Sequence, residues 1–148
     1  MRRRLPITLA ILAWPLLILL TVSGLETPVA ANAVRFAKPI KAWTGVASWY
    51  GPGFHGRTTA SGQFYDMYAA TAAHPSLPFG SLVRVVNLKT GQSELVRIND
   101  RGPYFGDREL DVSYLVASRL NMLEPGLASV RIELLEHPDD DRGLPSAP

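Results

Sequence analysis

Apolar and polar residues alternate with period two along several short stretches of this chain. Ser93 to Asn99 is the clearest, with Val96 and Ile98 apolar against Arg97 and Asn99 polar, the signature of a half-buried strand. Leu82 to Asn87 alternates too and is rich in β-branched residues. The turn-like Lys89-Thr90-Gly91-Gln92 between them predicts a hairpin. Trp43 to Tyr50 predicts a first strand, and Ala128 to Leu135, with Val130, Ile132 and Leu134 on one face, predicts a last one. Tyr68 to His74 is a shorter, weaker candidate. One stretch has a helical period instead. From Asp111 to Leu120, with Met122 just beyond, Leu115, Val116, Ala117 and Leu120 supply an apolar face, Asp111 or Ser113 can cap the start, and Pro125-Gly126 ends the segment. Many short strands with one short helix predict an all-β fold, a small barrel rather than a parallel α/β sheet. Gly51 to Gly62 has no periodicity and many Gly, Pro, Ser and Thr residues; it reads as a long loop of the kind that carries function.

The N-terminus follows a different pattern. Arg2, Arg3 and Arg4 precede an apolar run from Leu5 to Leu25, and small residues lead to Ala31-Asn32-Ala33. This predicts a secretory signal peptide over 1–33, cleaved after Ala33; an uncleaved inner-membrane tether through residues 5–25 is the rival. The expected organisation is then a linker over 34–44, one barrel domain over 45–136 and a disordered tail over 137–148. About 115 residues remain after cleavage, enough for one core. The formal charge of +2 belongs to the leader. Without Arg2, Arg3, Arg4 and Glu26, the 15 basic and 13 acidic residues become twelve of each. A neutral domain lacks the electrostatics of nucleic-acid binding. The chain has no cysteine, so neither disulfides nor cysteine-linked lipidation is expected, and an exported place in the periplasm or cell envelope does not make it a lipoprotein.

Asp100 stands where the Ser93–Asn99 strand stops, ahead of Arg101-Gly102-Pro103. A side chain there is fixed by the sheet behind it and open in front, which suits an acid acting on a ligand; the same position also suits a turn cap. Arg101 could lower the Asp100 carboxyl pKa, grip Asp107 or Asp111, or hold substrate. Asp111 reads either as an acid or as a helix cap. A metal site from His55, His74 and an aspartate matches no compact ligand spacing, and neither a metal nor another cofactor is expected. Ser48, Ser61 and Ser81 lack a nucleophile-elbow context. Trp49, Tyr50, Phe54, Tyr65 and Tyr104 bracket Asp100 and include candidates for stacking on sugar rings, with at least Trp49 or Phe64 expected in the core.

Several motifs stand together in order. They are Gly45-Val46-Ala47-Ser48-Trp49-Tyr50-Gly51, Gly56-Arg57-Thr58-Thr59-Ala60-Ser61-Gly62, Ala72-Ala73-His74, Leu77-Pro78-Phe79-Gly80, Asn99-Asp100-Arg101-Gly102-Pro103 and Asp111-Val112-Ser113. Over about Gly45 to Leu135 the chain resembles the rare lipoprotein A (RlpA) family of peptidoglycan lytic transglycosylases. The resemblance implies a six-stranded double-psi β-barrel, the fold shared with expansins. It implies cleavage of peptidoglycan glycan strands with formation of 1,6-anhydro-muramic acid ends. Such an enzyme needs one carboxyl group, which protonates the leaving oxygen and then takes the proton of the muramic acid 6-hydroxyl. The family pattern gives that role to Asp100, makes His74 a further catalytic residue, and leaves Asp111, which matches the acid of expansin-related barrels, as second candidate. It implies that Gln63, Arg101, Tyr50, Arg57 and Asn99 bind substrate. At Gln63 the chain departs from the family, which reads Ala-Asn-Gly-Glu where this chain reads Ala60-Ser61-Gly62-Gln63. An amide keeps the size but cannot exchange a proton. Gln63 therefore favours an alternative, a non-catalytic expansin-like module that binds peptidoglycan. A third reading, a membrane-anchored scaffold of the wall or division machinery, rests on the apolar N-terminus alone. A monomer is expected.

Overall fold

The hairpin read from the sequence is the spine of the structure. The computed structural model of the protein describes residues 37–137. Strands β3 (Leu82–Asn87) and β4 (Ser93–Asp100) pair antiparallel, with Val83 opposite Val96. Strand β6 (Leu127–Glu136) pairs with β3 on one side and with β1 (Lys41–Tyr50) on the other. Strand β5 (Arg108–Ser113) lies parallel to β1, and the short β2 (Thr71–Ala73) joins β5 to β4. The order β1-β5-β2-β4-β3-β6 closes on itself. Two parallel pairs, β1/β5 and β2/β4, interrupt an otherwise antiparallel ladder. This is the six-stranded double-psi β-barrel that the resemblance implied. Among the described residues, closure leaves no strand edge to pair with another chain.

Val83, Val85, Val96, Ile98, Leu110, Val112, Val130 and Ile132 fill the interior, each at most 1% exposed. Helix α1 (Tyr114–Arg119) plugs one end with Val116 and Ala117, followed by buried Leu120 and Met122. Ser113 is its N-cap; its hydroxyl accepts from Val116 N–H and donates to the Ala69 carbonyl. Asn121 ends it with a left-handed φ of 54°.

Three sequence expectations change. The helix does not begin at Asp111: residues 108–113 are a strand, because Leu110 and Val112 alternate into the core between β1 and β2. Asp111 is therefore a strand residue and not a cap. The first strand begins at Lys41, opposite Leu134, so 41–44 belong to the barrel and not to a linker. The weak candidate at 68–74 contracts to Thr71–Ala73. The expectations for the leader, for 34–36 and for 138–148 lie outside the described residues.

On the barrel wall, Glu133 is buried between two arginines. Arg84 donates through Nε at 2.6 Å, and Arg131 through Nε at 2.6 Å. Burial pushes the Glu133 carboxyl up, but the hydrogen bonds and charges of Arg131 and Arg84 outweigh it and hold it below the usual carboxylate range. A depressed folded pKa contributes stability above the unfolded value of 4.5, and that stability is lost as pH falls through the folded value. Glu133→Gln is expected to cost roughly 2–3 kcal/mol at neutral pH, less than for a fully enclosed pair because Arg131 is half-exposed. It should also flatten the acid limb of a melting-temperature profile; a parallel downward shift at every pH would refute the pairing as its source.

Candidate active site

Two β-bulges build the site. Strict alternation would send Asp100 to the same side as Val96 and Ile98, into the core. The register prevents this: Ala72 pairs with Ile98 and Ala73 with Asp100, leaving Asn99 as an extra residue. Asp100 thereby turns outward beside Ala73. On β5, Val46 pairs with Arg108 and Ala47 with Leu110, leaving Glu109 extra. Arg108 and Asp111, three residues apart, would face opposite sides of a regular strand; the bulge puts them on one face. Asp111 also pairs with Ala73 and with Ser48. Asp100, Ala73, Asp111 and Ser48 thus form one row across four strands. The two acids stand two strand spacings apart, about 10 Å between backbones. The small Ala73 leaves the floor between them open.

Above Ala73 lies a cavity of about 330 Å³, walled by both acids, Arg101, Arg108, Tyr50, Phe54, Tyr104 and Phe105. Asp100 Oδ1 accepts from the N–H groups of Ala60 and Arg101, each at 2.8 Å, and Oδ2 has no partner among the described residues. One oxygen is pinned and the other is uncommitted. Asp111 Oδ1 instead accepts from the Ser48 hydroxyl and lies 3.5 Å from Arg108 Nη1, which also donates to Ser48 Oγ at 2.8 Å. Arg108 Nε donates to the Phe105 carbonyl at 3.1 Å and ties the aromatic loop to this cluster. Each acid thus has one engaged oxygen: Asp100 is held by two backbone N–H groups, Asp111 by the Ser48 hydroxyl and the charge of Arg108.

The other expected residues separate into groups. Asn99 and Gln63 join the site: Asn99 Nδ2 donates to Gln63 Oε1 at 3.1 Å, which sets Gln63 beside the residue preceding Asp100. Thr58 bridges to Phe64, folding this loop back, and Ser61 N–H donates to the Asn99 carbonyl. Tyr50 lies in the cavity wall, stacked on Tyr65 at 4.1 Å between centroids. Burial raises the Tyr50 pKa far above its ordinary value, helped by Tyr65, Asp100 and Asp111 and only partly offset by nearby Thr71. Neither the Tyr50 nor the Thr71 hydroxyl has a hydrogen-bond partner among the described residues. Arg57 lies outside the cavity wall, its guanidinium 5.3 Å from the Phe54 ring centre. Arg101 does not reach Asp107 or Asp111. It donates to the carbonyls of Leu77 at 2.8 Å and His74 at 3.3 Å and lies over the Phe79 ring, bracing the 74–79 loop at the cavity edge.

The His74 imidazole does not line the cavity. Its Nδ1 accepts from the N–H groups of Ser76 and Leu77, at 3.1 and 2.9 Å, so the ring is neutral with its proton on Nε2. Nε2 is buried without a partner among the described residues, and the ring packs edge-on to Trp43. The link to Asp100 is through the backbone, His74 N–H to the Asp100 carbonyl. Burial is the main cause of a lowered His74 pKa; Arg101 and Lys41 add to it against Glu109. Folding therefore loses stability as pH falls from 6.5 toward the lower folded value, where protonation would break both Nδ1 bonds.

The aromatic expectation is corrected. Phe64 is 74% exposed and Trp49 is half-buried, while Tyr65, at 2%, is the buried ring, its hydroxyl donating to the Tyr50 carbonyl. Arg108 and Phe105 had no place in the sequence reading. A bulge is invisible to alternation, and nothing at 108–111 marked one.

The family model described as lytic transglycolase matches residues 42–132. The endolytic peptidoglycan transglycosylase RlpA of Neisseria meningitidis serogroup A is 56% identical over 90 residues, covering 61% of this chain and 38% of its own. Those of Pseudomonas aeruginosa and Vibrio cholerae are 53% identical over 89 residues and 48% over 106, covering 60% and 70% of this chain. The chain spans about a quarter to two-fifths of the length of these relatives, 26% and 40% for the last two. Among solved structures, the Streptomyces papain inhibitor aligns with TM-score 0.53 at 18% identity, over 68% of this chain and 99% of its own. A Clavibacter michiganensis expansin in complex with cellohexaose aligns with TM-score 0.54 at 16% identity, over 68% of this chain and 53% of its own. These two likenesses speak for the fold. With the family model spanning most of the barrel and the acid pair standing in one row upon it, the chain belongs to the lytic transglycolase family of double-psi β-barrel domains.

Proposed function

We propose that this protein is an exported lytic transglycosylase that cleaves the glycan strands of peptidoglycan in cell-wall remodelling or septation, leaving 1,6-anhydro-muramic acid ends. The observation that carries the proposal is Asp100, with Oδ1 pinned by two backbone donors and Oδ2 uncommitted, on the wall of an aromatic-rimmed cavity. Oδ2 protonates the glycosidic oxygen as the bond to the muramic anomeric carbon breaks. It then takes the proton of the muramic 6-hydroxyl as that oxygen closes on the same carbon. No water is consumed, so a second carboxylate to activate water is not needed. Asp111, held by Arg108 and Ser48, provides a fixed polar group across the floor for the oxocarbenium-like sugar or its hydroxyls. Phe54, Tyr104 and Phe105, 51%, 75% and 79% exposed, offer faces for stacking on sugar rings. His74 acts as a positioning residue: its imidazole fixes the turn whose carbonyls hold Arg101. Export rests on Arg2 to Arg4 and the apolar run behind them.

The departure at position 63 fits this scheme. Gln63 Oε1 accepts from Asn99, a bond that a carboxylate would keep. Gln63→Glu is expected to keep or raise turnover by a few-fold at most, measured as release of dye-labelled fragments from purified sacculi. Wild-type protein that binds sacculi without releasing fragments, with release appearing in Gln63→Glu, would favour the expansin-like binding module.

A further inference from the structure

The row that holds the two acids does not stop at Ser48. Leu127 is paired directly with Ser48, so Asp111, Ser48 and Leu127 lie opposite one another on β5, β1 and β6 and share a face. That face is the outer one, since the neighbours Leu110 and Ala47 point into the core. Leu127 is 52% exposed and stands about 10 Å from Asp111, two strand spacings away. It forms the near edge of a second cavity, about 580 Å³, also walled by Asn87, Lys89, Thr90, Glu124 and Ser129. A cavity of this size is within the range of small-ligand sites. Its lining mixes amides, hydroxyls and one charge of each sign with apolar edges at Leu127 and Pro125. Saccharides present the same mixture: equatorial hydroxyls around apolar C–H faces.

We infer that this second cavity is a distal subsite for saccharide units of the same glycan strand, which crosses the outer face of β1 between the two cavities. The inference rests on the proposed glycan substrate. A polymer bound at Asp100 must leave the first cavity in some direction, and the row toward Leu127 passes over Ser48, which is 4% exposed with the Arg108 guanidinium bonded to it. Arg108, half-buried beside Ser48, adds a guanidinium along that path. The distal cavity adds affinity for long strands without touching the bond that breaks.

The test is a triple variant, Lys89→Ala, Glu124→Ala and Leu127→Ala, all at exposed positions, checked for an unchanged melt. Substrates are peptide-free glycan strands, long ones and fragments short enough to fill only the first cavity. KM on long strands should rise about tenfold, with kcat and the short-fragment kinetics unchanged. Equal KM on long strands, or equal loss on long and short, would overturn the inference. So would a loss confined to strands that carry peptide, which would assign the cavity to the stems. If the wild type cleaves nothing, the proposed reaction fails by itself. Direct binding to long peptide-free strands then decides the subsite: about tenfold weaker binding by the triple variant supports it, and equal binding rejects it.

Discussion

Replacing Asp100 by asparagine is expected to lower anhydro-product formation by about 10²- to 10⁴-fold, the usual contribution of a positioned acid–base group, with a nearly unchanged melting temperature. The structural reason is the division of labour between the two oxygens. Oδ1 accepts from Ala60 and Arg101 N–H, and an asparagine carbonyl oxygen can do the same. The amide nitrogen would then occupy the place of Oδ2, unable to give or take a proton at the scissile oxygen. Loss of turnover without unfolding separates chemistry from architecture. An Asp100→Asn protein as active as the wild type would move the acid role to Asp111, on the other side of Ala73.

The second large effect is expected far from any acid, at Gly45. A Cβ there would lie 2.9 Å from Glu109 Cβ and closer still to its Cγ. The Cγ can turn away about χ1, but the Cβ of the bulged residue is fixed by its backbone and stays too close. Gly45→Ala is therefore expected to push the bulge outward, at a cost of about 1–3 kcal/mol. The same shift moves Arg108, whose facing toward Asp111 depends on the bulge. Turnover should fall by about tenfold or more, because small displacements of positioning groups are costly. Combining it with Glu109→Ala removes the Cγ and should recover part of the stability, a coupling readable by a double-mutant cycle. A Gly45→Ala protein with wild-type melting and turnover would show that the bulge tolerates the methyl group and that the argument from close approach is wrong.

Much of the barrel was legible because its long strands alternate cleanly. Val83 and Val85 against Val96 and Ile98 defined the hairpin, and Val130, Ile132 and Leu134 defined the last strand. Residues 108–113 were hidden because Leu110 and Val112 run without a break into the apolar face of α1, so a strand and a helix read as one helix. Only pairing with β1 and β2, which is tertiary, divides them at Ser113. In the site, Asp100 was legible as an acid at a strand end. Its outward direction was not, since alternation alone would have buried it and the bulge at Asn99 turns it out. The same limit concealed the Arg108–Asp111 pair. The imidazole of His74 could not be assigned from sequence either: two N–H donors within three residues claim Nδ1, a local turn geometry that no spacing announces. Arg101 stood beside the acid in sequence, yet its guanidinium is spent on carbonyls of the neighbouring loop.

The most direct test of the central claim is the chemical identity of the ends that the protein makes. Purified protein incubated with intact sacculi, followed by mass spectrometry of the released glycan, should yield chains ending in 1,6-anhydro-muramic acid, lighter by one water than hydrolytic products, and Asp100→Asn should yield about a hundredth as much or less. Reducing muramic acid ends from the wild type, or no new ends at all while the protein remains bound to sacculi, would contradict the account.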